Sequence, residues 1–565
     1  MDFLPSLRTR RATLAGLLSL LGLAACSLSP GPEPFDRRPV PEPTAQQLRP
    51  HLPAHWERGV FMEIFVRAYQ DSDGDGIGDL RGLISRLDYL KSLGIQGIWL
   101  MPITANADGD HGYATTDFRA IAPEYGTLAD FDELLKQAHA RGIGVIMDYV
   151  INHASAEHPA FRLARSGPQA PFRDWFIWSD TRPPGWFIWD KHPWYHTGSA
   201  LWNFKGPARE LPDPPADARG FYFGTFGPHM PDFNFRHPEV RQYHFDSLRF
   251  WLNRGLDGFR LDATPHLIEH SAERWSDQPE SRTLTHEITQ LIHRYPNRYV
   301  VCEATSKPEE WGDEQVCGGA FAFGYVHHFV EATRGKADSV QRLARYFQAQ
   351  SWRMATFVSN HDIFAGQRLW DQVGGDSKAY RLAAAGYLLQ PGTPYIYYGE
   401  ELGQAGVPGL SGDLPLRSPM SWTADPATAG FTRGTPFRPT APNVATHNVA
   451  AQQSDPSSLL NFYRALIGLR QQRASLARGS FEGAFADDLL LGFQRVLGAE
   501  RTLVLIHYGP AARSHRLSGL PAGARVRVLH AEATPTQAVP AVVAADGSLP
   551  LSLAPQSVLV LDLVN

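Results

Sequence analysis

Several apolar runs in this sequence end in polar residues of the kinds that carry nucleophilic and acid–base chemistry. "MDYVINH" brings Asp148, Asn152 and His153; "GFRLDA" offers Arg260 and Asp262; "YVVCEA" offers Glu303; "FVSNHD" ends in His361 and Asp362. A carboxylate that attacks and a carboxylic acid that manages the proton can together split one hard bond cleavage into two easier steps. Arg260 stands two residues before Asp262, so on an extended strand both side chains share a face and the guanidinium can hold the carboxylate ionised. Taken singly, a strand-end aspartate is more often a cap than a catalyst; the weight lies in the set.

A second carboxylate cluster is of a different kind. "DSDGDGIGDL" packs Asp71, Asp73, Asp75 and Asp79 directly after the apolar run "VFMEIFV". Charges so close repel unless a cation sits among them or water surrounds the turn. The D-x-D-x-D-G order resembles a calcium-sensor loop, but that loop needs a bidentate Glu at its twelfth position and a helix before it. Counting from Asp71, that position is Gly82, and the preceding run reads as a strand.

The elements that must position these residues alternate regularly from residue 60 onward. "LRGLISRLDYLKSLG" puts Leu80, Leu83, Ile84, Leu87, Leu90 and Leu93 on one helical face and stops at Gly94; "GIQGIWLMP" follows as a buried strand. "TLADFDELLKQAHARG" opens with Thr127 and an acid three residues on, a capping-box start, before the strand "GIGVIMDYVINH". About eight such units predict an α/β fold, a (β/α)8 TIM barrel whose active face lies at the C-terminal strand ends, where the polar residues fall. The barrel is expected over residues 51–153 and 236–478, interrupted after its third strand by an inserted subdomain at 154–235. Six of the fourteen tryptophans fall between Trp175 and Trp202, most of them expected in the insert's own core and one or two along the cleft. Residues 479–565 turn to short alternating segments and predict an antiparallel β-sandwich domain.

Residues 1–26 read as a lipoprotein-type signal peptide: Arg8, Arg10 and Arg11, an apolar stretch too short to span a bilayer, and "LAAC", which makes Cys26 a candidate lipid anchor. Export to the periplasm or cell surface of a bacterium is the corresponding expectation. Residues 27–50, rich in proline, read as a spacer. Cys302 and Cys317 remain in the body; one bridge between them is open to the chain, but because Cys302 lies in a strand-like run, two free buried thiols are the favoured expectation. A net charge of −5 without long basic runs excludes nucleic acid as a partner; the oligomeric state has no signature.

The motifs "VFMEIFVRAYQDSDGDGIGDL", "MDYVINH", "DGFRLDA", "VVCEA", "VSNHD", "PGTPYIYYGEE" and "SPMSW" together resemble glycoside hydrolase family thirteen, the α-amylase family, over essentially the whole body of the chain. The resemblance implies retaining hydrolysis, with Asp262 as nucleophile, Glu303 as acid and then base, and Asp362 gripping sugar hydroxyls as the ring distorts. It further implies sugar contacts from His153 and His361, with Arg260 orienting the nucleophile. "DHGYATTDF" resembles the floor of the family's sugar site, where Asp110 would bind a terminal glucose and Tyr113 stack on it; the usual second Asp is here Ala114. Ala263 after the nucleophile resembles members acting on α-1,4 links, whereas Pro265 and His266 replace the lysine pattern of long-polymer amylases. The loop at 71–79 resembles one holding a structural Ca²⁺ through Asp71, Asp73, Asp75, Asp79 and the Ile77 carbonyl, hard oxygens with no His or Cys set for zinc. The expected activity is cleavage of malto-oligosaccharides or starch-derived α-glucans. A trehalose synthase (maltose isomerase) or α-glucan transglycosylase is the alternative, and a non-catalytic sugar-binding lipoprotein the remote one.

Overall fold

In the structure, a computed structural model, residues 35–198, 220–533 and 537–564 are described. The signal peptide, Cys26, the spacer up to Pro34 and Trp202 lie outside the described residues. Eight strands form the central sheet: β1 (Phe61–Ile64), β2 (Gly97–Leu100), β3 (Gly144–Tyr149), β4 (Gly258–Leu261), β5 (Tyr299–Cys302), β6 (Ala320–Phe321), β7 (Met354–Ala355) and β8 (Tyr395–Tyr397). All neighbours pair in parallel in the order β7-β6-β5-β4-β3-β2-β1-β8, and a parallel bridge between Thr356 and Pro394 joins the two edges into a closed barrel. Every strand residue is buried, as strands covered by helices outside and filled by side chains inside must be.

Register decides where the chemistry emerges. Leu261 pairs with Cys302 across β4 and β5, so Asp262 and Glu303, each the next residue, leave neighbouring strands side by side. Asp148 pairs with Arg260 across β3 and β4, one step lower. Gly258, at φ 154°, lets β4 approach β5 so closely that a Cβ there would collide with the Tyr299 carbonyl.

The surrounding helices follow their sequence signals with one break. The helix Leu128–Ala140 begins on the complete Thr127/Asp130 capping box. The single helix expected from Leu80 to Leu93 is divided at Arg86 into Leu80–Ser85 and Leu87–Leu93. There the guanidinium donates to Gln70 at 2.7 Å and lies 4.0 Å from the Trp422 ring, tertiary contacts that outweigh helical continuity.

The insert contains a three-stranded antiparallel sheet with a small core of Trp186, Ile188, Trp194, Phe221 and Phe223. Trp175 and Trp178 pack instead with the main core, and Trp189 is 56% exposed. The C-terminal region comprises β9 (Ser480–Asp487), β10 (Leu490–Leu497), β11 (Glu500–His507), β12 (Arg513–Leu517), β13 (Arg525–Ala531), β14 (Leu549–Leu553) and β15 (Ser557–Val564). A five-stranded sheet, β9-β10-β11-β15-β13, is accompanied by the pair β12-β14. Strand alternation explains both of its faces: Leu503, Leu505, Leu559 and Leu561 fill the C-terminal core, while Val504, Ile506, Val558 and Val560 join the barrel's core.

Two expectations need correction. Cys302 and Cys317 are bridged, with Cα atoms 6.2 Å apart, because the turn before β6 returns Cys317 to the end of β5. From Phe35 onward the spacer is a strap fixed to the barrel. Phe35 is buried among the rings of His158, Phe172, Trp175 and Tyr243; Arg119 donates to the Arg38 carbonyl at 2.7 Å; and Glu42 pairs with Arg249 and Arg294. A proline-rich chain makes few hydrogen bonds within itself, so its carbonyls are available to such donors.

Candidate active site

A cleft of about 590 Å³ opens at the C-terminal mouth of the barrel, and Asp262, Glu303, Asp362, Tyr113 and His153 line it. Arg260 is its electrostatic centre. The buried guanidinium contacts Asp148 at 3.0 Å, Asp262 directly, and Glu303 at 3.1 Å, so one cation touches three carboxylates. Ala263, at φ 49°, turns the chain after Asp262 so that its N–H donates to Glu303 Oε2 at 3.0 Å, and the Thr264 hydroxyl donates to the Glu303 carbonyl. Two successive residues after Asp262 therefore hold the neighbouring strand's glutamate.

Burial governs the titration of this group. It pushes Asp262 well above the usual carboxylate range, a push that Glu303 and Asp148 reinforce and Arg260 opposes. Asp148 rises to about 6 for the same dominant reason, and Asp362 to about 7 with Arg417 pulling it down. His153 falls to about 3 on burial, which leaves a neutral ring at the cleft wall.

His361 and Arg260 do not line the cleft; they stand behind its walls. Both ring nitrogens of His361 are engaged: Nδ1 with Glu63 Oε1 at 2.5 Å, and Nε2 with the Tyr113 hydroxyl at 2.7 Å and Asp362 at 3.2 Å. The Tyr113 hydroxyl in turn donates to Asp148 at 3.0 Å. A chain of contacts thus runs Glu63–His361–Tyr113–Asp148–Arg260–Asp262, tying Tyr113 at the cleft to Asp262. Asp110 also stands back from the cleft, held by Arg438 at 2.8 Å and facing Arg417 at 3.8 Å. Arg417 donates to the His361 carbonyl at 3.0 Å and contacts Asp362 at 3.2 Å.

Glu63, Arg417 and Arg438 escaped the reading of the sequence, whereas Trp189 is one of the insert's tryptophans expected along the cleft. Glu63 carried a usable signal, since a charged residue inside "FMEI" can be buried only with a partner facing it. The two arginines sit in irregular loops beyond β8, where nothing periodic marks them.

The acidic loop lies beside this site. Asp71, Asp73 and Asp79 bring carboxylate oxygens within 4.8 Å of one another; Asp75 stands outside that group and accepts from the Ile77 N–H at 2.7 Å. Gly74 and Gly76, at φ 95° and 92°, turn the chain so that Asp71 accepts from the N–H groups of Asp73, Gly74 and Gly76 and from Thr432 Oγ1. Burial opposes the ionisation of Asp71, but these hydrogen bonds together hold it below its ordinary value. Asp79 caps the helix Leu80–Ser85 through the Gly82 N–H. The loop also grips 431–437, with Asp71 N donating to Phe431 O, Arg433 to Ser72 O and Phe437 N to Gly76 O. Arg438, the partner of Asp110, follows immediately.

Residues 63–479 match the alpha amylase catalytic domain, and the chain belongs to the α-amylase family of glycoside hydrolases. The trehalose synthase/amylase TreS of Mycobacterium tuberculosis is 32% identical over 507 residues, 81% of this chain and 82% of its own. The oligo-1,6-glucosidase of Parageobacillus thermoglucosidasius is 30% identical over 535 residues, 82% of this chain and 92% of its own. Among solved structures, the alpha-amylase of H. orenii superposes with a TM-score of 0.72 at 29% identity, covering 89% of this chain and 99% of that one.

Proposed function

We propose that this glycosidase is a retaining enzyme acting on the α-1,4 bonds of short malto-oligosaccharides. The observation that carries the reading is the single guanidinium shared by Asp262 and Glu303, because retention requires the two carboxyl groups close together, about 5–5.5 Å, whereas inversion needs room for a water between them. In the first step Asp262 attacks the anomeric carbon while Glu303 gives its proton to the departing oxygen. In the second, Glu303 takes a proton from water, which displaces Asp262. Arg260 opposes the upward push of burial on Asp262 and so favours its charged form, and Asp362, backed by Arg417 and His361, meets the sugar hydroxyls. Asp110, tied to Arg438 behind the cleft, is the residue whose type in this segment favours a terminal glucose over an interior unit of a long chain.

Asp71, Asp73 and Asp79 fit a Ca²⁺ by donor chemistry: hard oxygens in one small volume with no Lys or Arg salt bridge among the described residues. Asp75 and the Ile77 carbonyl complete the proposed set. The ion would supply charge balance and hold the loop that carries 431–438. The disulfide at the end of β5 supports export into an oxidising compartment, consistent with a lipid anchor at Cys26.

A second reading, trehalose synthase or α-glucan transglycosylase, is favoured by relatives named trehalose synthase and shares the first step; the acceptor differs. Product analysis on maltose, maltotriose and soluble starch beside Glu303→Gln tests both. Glucose released in the α-configuration and lost in the variant supports hydrolysis; trehalose or longer oligosaccharides as main products support the second reading; no turnover of any α-glucoside overturns both.

A further inference from the structure

The insert places one strained, exposed aromatic residue at the cleft. Ile188 and Lys191 exchange both backbone hydrogen bonds, at 2.8 and 2.9 Å, closing a two-residue hairpin over Trp189 and Asp190. Both residues have positive φ, 46° and 64°, as a type I′ turn requires. That turn favours asparagine, aspartate and glycine; tryptophan occupies it against steric preference. Strain of this kind persists where the surroundings over-determine it, and such positions concentrate at functional sites.

Here the surroundings are explicit. Trp186, Ile188 and Trp194 anchor the hairpin in the insert's core, and Trp275 of the barrel packs against the same core. At the tip Trp189 meets Phe226, His266 and Trp275, with ring centroids 5.5–5.6 Å away. It nevertheless remains 56% exposed and lines the cleft together with Asp262 and Glu303. His266, stacked on Trp275, keeps a buried Nδ1 without a protein partner.

We infer that Trp189 is the stacking platform for the second sugar, the unit that leaves in the first step and the acceptor that competes with water in the second, and so sets the partition between hydrolysis and transfer. This rests on the retaining reading above. An aromatic face suits the apolar face of a pyranose, and His266 stands beside it in the cleft lining. When the platform is filled, a hydroxyl of the bound sugar attacks the anomeric carbon of the glucosyl ester. The bond from that carbon to the Asp262 oxygen breaks, its electron pair returns to the carboxylate, and Glu303 takes the hydroxyl proton. When the platform is empty, water follows the same course.

The test compares maltose with α-glucosyl fluoride, whose leaving fluoride is too small to reach the hairpin, in the wild type, Trp189→Ala and Trp189→Gly. Both variants are expected to lose about tenfold more kcat/KM on maltose than on α-glucosyl fluoride, and to shift products from transfer toward glucose by a similar factor. Trp189→Gly suits the turn better than tryptophan does and is expected to melt no lower than the wild type, so a loss there is not a folding failure. Equal losses on the two donors, or an unchanged product ratio, would overturn the platform while leaving the retaining enzyme standing. A wild type inert on both donors would overturn the functional reading and the platform with it.

Discussion

Two clusters of aspartate and glutamate sit on neighbouring loops of this barrel and solve the problem of crowded negative charge in opposite ways. At the cleft, Asp148, Asp262, Glu303, Asp362 and Asp110 are interleaved with Arg260, Arg417 and Arg438, and burial pushes Asp148, Asp262 and Asp362 up. In the 71–79 loop the Arg433 guanidinium reaches only the Ser72 carbonyl, and no Lys or Arg pairs with Asp71, Asp73 or Asp79 among the described residues; backbone N–H groups and Thr432 hold Asp71 down, and Asp73 is exposed. A fixed internal cation stands between two neighbouring carboxylates and opposes the upward push that burial exerts on Asp262. Backbone dipoles alone only partly offset the loop's repulsion, which a mobile ion can complete. The same residue type is therefore balanced by side-chain cations in one place and by backbone dipoles in the other.

The comparison breaks most directly at the cleft. Asp262→Asn or Glu303→Gln is expected to lower kcat by about 10³-fold or more while the far-ultraviolet spectrum and Tm stay near wild type. Retained turnover would remove the cleft cluster from the chemistry. Next in size is Glu63→Gln, which leaves the volume of the side chain but weakens the hold on His361 Nδ1. We expect kcat to fall by about tenfold with a shifted pH–rate profile and little change in KM, measured on maltose between pH 4 and 9. An unaltered profile would mean that Glu63 fills space and nothing more.

The loop should respond in the other currency. Chelation, or Asp71→Asn, is expected to lower Tm by about 3–6 °C and to raise KM more than it lowers kcat, since the loop supports the strand of chain carrying Arg438. Added Ca²⁺ should restore the chelated protein and not the variant; no response of Tm to chelation or Ca²⁺ would sink the metal reading. The smallest effect concerns Asp232, buried between the insert and the barrel and accepting from Thr225. Burial raises it to about 8 from an unfolded value near 3.8. The folded state therefore holds a proton that the unfolded chain has released, so this residue's contribution to stability falls as pH rises from about 4 through about 8. Asp232→Asn should flatten that part of the Tm-against-pH curve; a curve of unchanged slope would show the proton is not held there.

Much of the fold was legible because its elements are periodic. The apolar runs that become β3, β4 and β5 ended on Asp148, Asp262 and Glu303, and a barrel puts strand ends at one mouth. The Thr127 capping box was legible for the same local reason. The break at Arg86 was not, because Gln70 and Trp422 lie far from it in one direction or both along the chain. Nor was the Cys302–Cys317 bridge, since a strand-like run gives no hint that the turn before β6 folds back on it. The strap at 35–50 looked like a spacer because proline-rich composition describes the chain's own stiffness and says nothing about which side chains reach out to its carbonyls.

By itself the sequence determined which residues can react and in what order they meet the barrel's mouth, because strand alternation and strand ends are local properties. Only the tertiary structure decided that Arg260 touches three carboxylates at once, that His361 and Asp110 stand behind the cleft, and that Trp189 is held over it on a strained turn. Those depend on register between strands and on loops that meet from distant parts of the chain, and pairing across such distances leaves no period in the sequence to read.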